Sequence, residues 1–105
     1  MAKGFDMNQL LQQAQQMQAQ MAQAQAELAK EIVEASAGGG LVTVRATGAG
    51  EIKEIKIAKE AIDPDDPEML ADLVLAAVNE ALRSAQRLVE SKVGPLMGGL
   101  GLPGL

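Results

Sequence analysis

The chain has 105 residues and a net charge of −5, so its length predicts a single domain and its charge opposes nonspecific attraction to nucleic acid or anionic membranes. It contains no Cys, which excludes a disulfide framework and zinc sites built on thiolates, and no His or Tyr, so no catalytic, cofactor or metal site is expected. Because the sequence shows neither a signal segment nor an apolar run long enough for a bilayer, it predicts a cytoplasmic protein without a membrane or small-molecule partner.

The first predicted element is an amphipathic helix from Met7 to Leu28, ending near Ala29. The apolar seam of this helix alternates steps of three and four: Met7, Leu10, Ala14, Met17, Met21, Ala24 and Leu28. Residues 7–26 include no charged side chain, so the outer face is neutral and rich in glutamine. A chain this short cannot cover such a seam and its other apolar faces alone, and we therefore expect a homodimer.

The middle of the chain predicts a small antiparallel sheet. Its three strands are expected at residues 31–36, 41–47 and 51–58. The central strand alternates apolar and polar residues, which predicts one packed and one wet face. Short glycine-containing connections suit a meander and are too short for parallel crossovers. Ile52 is out of phase with Ile55 and Ile57, which predicts a bulge near Lys53 and Glu54.

A second helix is predicted from Asp66 to about Ser91. Asp66 can cap this helix and Pro67 fits its first turn. A helix start therefore explains the acidic cluster of Asp63, Asp65 and Asp66 better than a cation-binding site does. Its apolar positions form a wide arc, of which one stripe can cover the sheet while another meets a partner. The dimer interface is assigned to Leu70, Val74, Ala77, Val78 and Ala81.

The last residues, 93–105, are rich in glycine and proline and predict a flexible tail after a domain at residues 1–92. Residues 99–104 match the glycine spacing of a dinucleotide-binding motif. That motif needs a strand before it and a helix after it, and the tail predicts neither, so no cofactor is assigned.

Two groups of side chains are candidates for contact with nucleic acid. Arg83 and Arg87 lie one helical turn apart and could grip a phosphate backbone, but Glu80 and Glu90 are each three residues from one of them, so intrahelical ion pairs are equally compatible. The glutamines of the first helix form either a solvated face or a surface that contacts phosphates and base edges. Residue types alone leave both alternatives open.

Several segments together resemble the YbaB/EbfC family of bacterial nucleoid-associated proteins. The segments that carry the resemblance are residues 13–18 (QAQQMQ) with Met21, residues 40–44 (GLVTV) with Gly48-Ala49, and residues 68–74 (EMLADLV) with 76–81 (AAVNEA). They cover almost the whole chain in order. Two positions depart from the family pattern: the first helix is neutral where relatives commonly mix Lys and Glu, and Ile57-Ala58-Lys59 stands where Ile-Asp-Pro is usual.

The resemblance implies an α+β fold with the order helix, three-stranded antiparallel meander, helix (α-β-β-β-α). It also implies a tweezers-like homodimer whose projecting first and last helices bind double-stranded DNA in the nucleoid. The residues assigned to this contact are Gln12, Gln16, Gln20, Gln23, Arg83, Arg87 and Lys92. The competing hypothesis is a protein-interaction adaptor, in which the Met/Ala helical seam docks a partner helix and DNA contact is indirect or absent.

Overall fold

The computed structural model describes residues 6–98 and has the predicted α+β order. Its elements are α1 (Met7–Lys30), β1 (Ile32–Ala37), β2 (Val42–Thr47), β3 (Ile52–Ile57), a single 3₁₀ turn (Lys59–Ala61) and α2 (Pro67–Gly98). The strands form one antiparallel sheet in the order β1-β2-β3, which confirms the meander. No helix within residues 6–98 is long and apolar enough to cross a membrane.

Helix α1 begins and ends where the sequence provides signals for it. The Asp6 carboxylate caps the helix by accepting hydrogen bonds from the backbone N–H groups of Asn8, at 3.0 Å, and Gln9, at 3.4 Å. At the other end Glu31 has extended backbone angles, immediately before the β-branched residues Ile32 and Val33 that begin β1. The helix is therefore about one residue longer than predicted.

The predicted bulge lies in β3. Arg45 of β2 faces Glu54 and the next residue, Ala46, faces Ile52, which leaves Lys53 as the extra residue on the β3 side. The extra residue shifts the alternation of side chains by one, so that Ile52 before the bulge points to the same sheet face as Ile55 after it. All three isoleucines of β3 consequently share the sheet face of the buried β2 residues.

The core lies between that face and α2, which packs across β1 and β2. Val42 and Val44 of β2 have no exposed surface, and neither do Ala77 and Ala81 of α2. Small alanine side chains let the helix axis approach the strands closely. The sequence had assigned Ala77 and Ala81 to a dimer interface, and the structure corrects this, because the protomer's own sheet already covers them. Leu70, Val74 and Val78 pack half-buried beside them, and their interface role remains a prediction.

Helix α2 continues beyond its predicted end. It passes through Gly94 and Pro95 to Gly98, whereas the sequence predicted an end near Ser91 and irregular chain from residue 93. Pro95 costs the helix the hydrogen bond that would reach the Ser91 carbonyl. The side chains of Val93 and Leu96 on this extension are half-buried. Residues 99–105, with the glycine-spaced segment, lie outside the described residues, and their flexibility remains a prediction.

Candidate nucleic-acid interface

The N-terminal half of α1 projects from the body of the protein. Every residue from 6 to 16 is exposed, whereas Ala24 and Leu28 near the other end of the helix are 7% and 4% exposed. The helix contacts α2 and β2 and has its buried positions only near its C-terminal end. The molecule is correspondingly elongated, with principal extents of 79 × 26 × 16 Å.

The base of α1 is seated on the turn between β2 and β3, where Gly48 allows a close approach. A Cβ atom added at Gly48 would lie 2.9 Å from the carbonyl oxygen and from Cδ2 of Leu28, and 3.1 Å from Cδ2 of Leu88. The Gly48 N–H also donates a hydrogen bond of 3.0 Å to the Glu31 carbonyl. The glycine therefore lets α1, α2 and the sheet meet at one point.

Lys92 ties the two helices together at this base. Its Nζ lies 3.1 Å from Glu27 Oε1 and 2.9 Å from Glu31 Oε1, so an α2 cation binds both carboxylates at the end of α1. Hydrogen bonding to Glu31 and then to Glu27 raises the pKa of Lys92 above its ordinary value. The sequence assigned Lys92 to DNA and gave no sign of this bridge. Its role as a DNA contact remains a prediction.

Arg83 and Arg87 share one exposed face of α2, as their spacing predicted. Both bind Glu80: Arg83 Nη2 lies 3.1 Å from Glu80 Oε1, and Arg87 Nη2 lies 2.8 Å from Glu80 Oε2. Arg87 Nη2 also donates to Ser84 Oγ at 2.9 Å. The arginine side chains are 61% and 62% exposed, so both guanidinium groups remain open to an anion while one carboxylate holds them side by side.

The shared carboxylate offers a direct check of this arrangement. Hydrogen bonds from Arg87 and then from Arg83 hold the pKa of Glu80 below its ordinary value, so Glu80 stays charged to lower pH than an unpaired glutamate. We expect Arg87→Ala to raise the titration midpoint of the Glu80 carboxyl carbon, measured by NMR. Arg45→Ala, which removes a cation from the sheet, is the control and should not move it. Equal midpoints in the wild type and Arg87→Ala would contradict the pairing.

The candidate glutamines lie on the projecting helix. Gln12, Gln16, Gln20 and Gln23 are all exposed and follow one stripe of α1. At 3.6 residues per turn this stripe lies roughly 135° around the helix axis from the apolar seam. The glutamines therefore lie on α1 and the two arginines on α2. The structure does not bring the two groups together; their helices contact each other at Lys92.

Two further polar groups, around Arg45 and at Asp66, have structural roles. On the sheet face turned away from α2, Arg45 Nε binds Glu34 Oε2 at 2.9 Å, and Glu54 Oε1 lies 3.8 Å away. Hydrogen bonding to Glu34 raises the pKa of Arg45. The Asp66 carboxylate accepts from the Met69 N–H at 3.2 Å, which confirms the predicted cap. Among residues 6–98 no group of three acidic side chains is placed to hold a metal ion.

Comparison with known proteins matches the sequence of this chain to a protein family. The model of the YbaB/EbfC DNA-binding family matches residues 3–100. A nucleoid-associated protein of Acetivibrio thermocellus is 57% identical over 103 residues, which cover 97% of this chain and 91% of that protein. One from Chloroflexus aurantiacus is 54% identical over 96 residues, covering 91% of this chain and 96% of that protein.

A solved structure supports the fold independently. The crystal structure of an uncharacterized Helicobacter pylori protein superposes with a TM-score of 0.78 and covers 89% of this chain and 98% of its own, at 20% sequence identity. At that identity the likeness speaks for the fold alone. The family match over nearly the whole sequence and the high identity to its relatives go further: the chain belongs to the YbaB/EbfC DNA-binding family.

Proposed function

We propose that this protein is a non-enzymatic, nucleoid-associated protein that binds duplex DNA as a homodimer. The observation that carries the proposal is the match to a DNA-binding family over residues 3–100, supported by relatives named nucleoid-associated proteins. The exposed helices supply surfaces that duplex DNA can reach. A nucleoid location follows from this role.

Arg83 and Arg87 are proposed to contact DNA phosphates. Their guanidinium groups lie side by side on one face of α2, and guanidinium is suited to paired hydrogen bonds with phosphate oxygens. DNA must then compete with Glu80 for both cations. The glutamines of α1 are proposed to contact phosphates and base edges, because a neutral amide both donates and accepts hydrogen bonds. Lys92 contributes mainly by fixing α1 against α2.

The homodimer is proposed because, within the described part of one copy, apolar surface next to the core stays exposed. Ile55 and Ile57 of β3 are 42% and 41% exposed, and Leu75 and Leu82 of α2 are 60% and 37% exposed. The exposed face of β3 adjoins half-buried positions of the core. A second copy is the simplest cover for such a surface on a chain of this size.

Binding is tested by fluorescence anisotropy of a labelled duplex of about 30 base pairs, titrated at low salt. We expect a complex of modest affinity and shallow salt dependence, because only a few phosphates are contacted. Arg83→Ala combined with Arg87→Ala should weaken binding at least about tenfold and reduce the salt slope by about 2 for each protomer bound.

The matched control for this test removes the same charge elsewhere. Lys53→Ala with Lys56→Ala takes two cations from β3 and should leave the affinity within about twofold, because these residues lie on the solvated sheet edge. Equal losses in both double variants would mean that only net charge matters and would remove the arginines from the site. Absence of a complex at tens of micromolar wild-type protein would reject DNA binding.

The exposed apolar seam of α1 supports a second candidate function, a protein-interaction adaptor. Met7 and Leu10 are 58% and 49% exposed on a helix that projects into solvent. Capture of partners from a lysate treated with nuclease separates the two functions. Partners identified by mass spectrometry and retained in stoichiometric amount favour the adaptor, whereas their loss on nuclease treatment favours DNA binding.

A further inference from the structure

The seam of α1 is used as a packing surface at one end of the helix and is uncovered at the other. Ala24 and Leu28 continue the same three-four alternation as Met7 and Leu10, yet the first pair is buried and the second is about half exposed. The spacing is a heptad pattern, with two apolar positions in every seven residues. Met7, Leu10 and Ala14 are exposed and Met17 is half-buried, so within the described residues 6–98 this end of the helix-pairing seam is largely uncovered.

The chemistry of this segment favours a copy of itself as the partner. No side chain from residue 7 to residue 26 is charged, so two such helices meet without like-charge repulsion. A charged partner would find no complementary charge on this part of the chain. The side chains that line the seam are Met, Leu and Ala, which form a compact interface when large residues of one helix face small residues of the other.

We propose that the exposed segment of α1, residues 7–17, binds the same segment of a second copy in antiparallel orientation. This orientation sets Met7 of one copy beside Met17 of the other, and Leu10 beside Ala14, which pairs large with small. It also places the two bodies, in chains that carry a net charge of −5 each, at opposite ends of the helix pair. Parallel pairing would bring those bodies together.

The pairing leaves the glutamine stripe free, because the stripe lies on roughly the opposite side of α1. It does not depend on DNA binding. If the body of the protein also forms the proposed dimer, each dimer carries two such segments, and two different two-fold contacts generate an open chain of dimers. The segment would then link dimers that lie on one DNA molecule or on two.

Sedimentation velocity from about 10 µM to 1 mM protein tests the pairing without DNA. We expect the wild-type mass to rise with concentration, and to exceed that of a dimer if the body of the protein also dimerises, whereas Leu10→Gln should weaken this association at least about tenfold. Leu11→Gln is the matched control: Leu11 is 53% exposed and adjacent, but lies about a quarter turn off the seam, so it should behave as the wild type.

The other results decide against all or part of the proposal. A wild-type mass that is constant up to 1 mM and unchanged by Leu10→Gln would overturn the contact. Equal effects of the Leu10 and Leu11 substitutions would point to nonspecific apolar association and would also overturn it. If Leu10→Gln converts a wild-type dimer into monomers, the pairing is supported as the contact of that dimer, and the open chain of dimers is overturned. DNA affinity is measured separately, so its failure leaves these outcomes interpretable.

The orientation is tested with single cysteines, because the natural chain has none. Leu10→Cys and Ala14→Cys proteins are oxidised alone and as a mixture. Antiparallel pairing brings residue 10 of one copy within disulfide distance of residue 14 of the other, so the mixed sample should form mainly the heterodisulfide. Homodisulfides at both positions would indicate parallel pairing, and no disulfide at all would overturn the contact.

Discussion

The double substitution Ile55→Gln and Ile57→Gln is expected to convert the proposed dimer into a monomer. The register of the sheet sets these residues opposite Val44 and Val42, on the face that packs against α2. Because α2 packs across β1 and β2, the isoleucines of β3 stay 42% and 41% exposed. Covering each with a partner contributes about 1 kcal/mol. A two-fold pair contains four of them, so dimerisation should weaken about a thousandfold.

Size-exclusion chromatography with light scattering at micromolar concentration measures this effect. The matched control is Ile32→Gln, since Ile32 is 49% exposed but pairs with Thr47 and lies on the polar face of the sheet, the same face as Glu34. It should remain dimeric. A dimer in the double variant would place the interface elsewhere, for instance on the exposed leucines of α2. A wild-type protein that is itself monomeric would remove the homodimer from the proposed function.

Local patterns predicted most of the fold because each depends on neighbours in sequence. The three-four seam specifies α1, and the alternation of β2 specifies a sheet with one buried face. The bulge was predictable because Ile52 could share a face with Ile55 only if the strand gained one residue. The Asp66 cap was predictable because its carboxylate reaches an N–H group three residues away.

What the sequence could not predict depends on contacts between distant segments. The apolar positions of α2 form one wide arc, so nothing local shows which part of it, including Ala77 and Ala81, faces the protomer's own sheet. The bridge from Lys92 to Glu27 spans 65 residues of sequence. The predicted end of α2 was wrong: Gly94 and Pro95 disfavour a helix locally, but the helix continues through them, and Val93 and Leu96 there are half-buried.

The sequence predicted the position of the candidate arginines but not the group that they bind. The spacing of Arg83 and Arg87 placed them on one face but could not decide between a carboxylate and a phosphate as their partner, because both anions satisfy a guanidinium group. The structure shows Glu80 binding both in the free protein. The same contact holds the two guanidinium groups side by side, so in the proposed function Glu80 would both compete with DNA phosphates and align the arginines that bind them.

Gly48→Ala is expected to destabilise the protein by about 1–3 kcal/mol, a large effect for one added methyl group. The new Cβ would lie 2.9 Å from the Leu28 carbonyl oxygen, a backbone atom at the end of α1 that cannot move without shifting the helix. Urea unfolding followed by circular dichroism measures the loss. Gly94→Ala is the matched control, because beyond its chain neighbours no atom lies within 4 Å of the added Cβ. Since Pro95 follows it and opposes the gain in helix propensity, this substitution should change the stability by less than about 1 kcal/mol.

Gly48→Ala also tests whether α1 is held in place independently of the stability of the sheet. A shift of the Leu28 backbone moves Glu27 and Glu31 relative to Lys92, so amide hydrogen exchange should accelerate across the C-terminal turns of α1 more than in β2. If DNA affinity falls in Gly48→Ala although Arg83 and Arg87 are intact, binding requires a rigidly held α1. If exchange rises equally in α1 and the sheet, α1 is part of the cooperative core and Gly48 does not hold it as a separate arm.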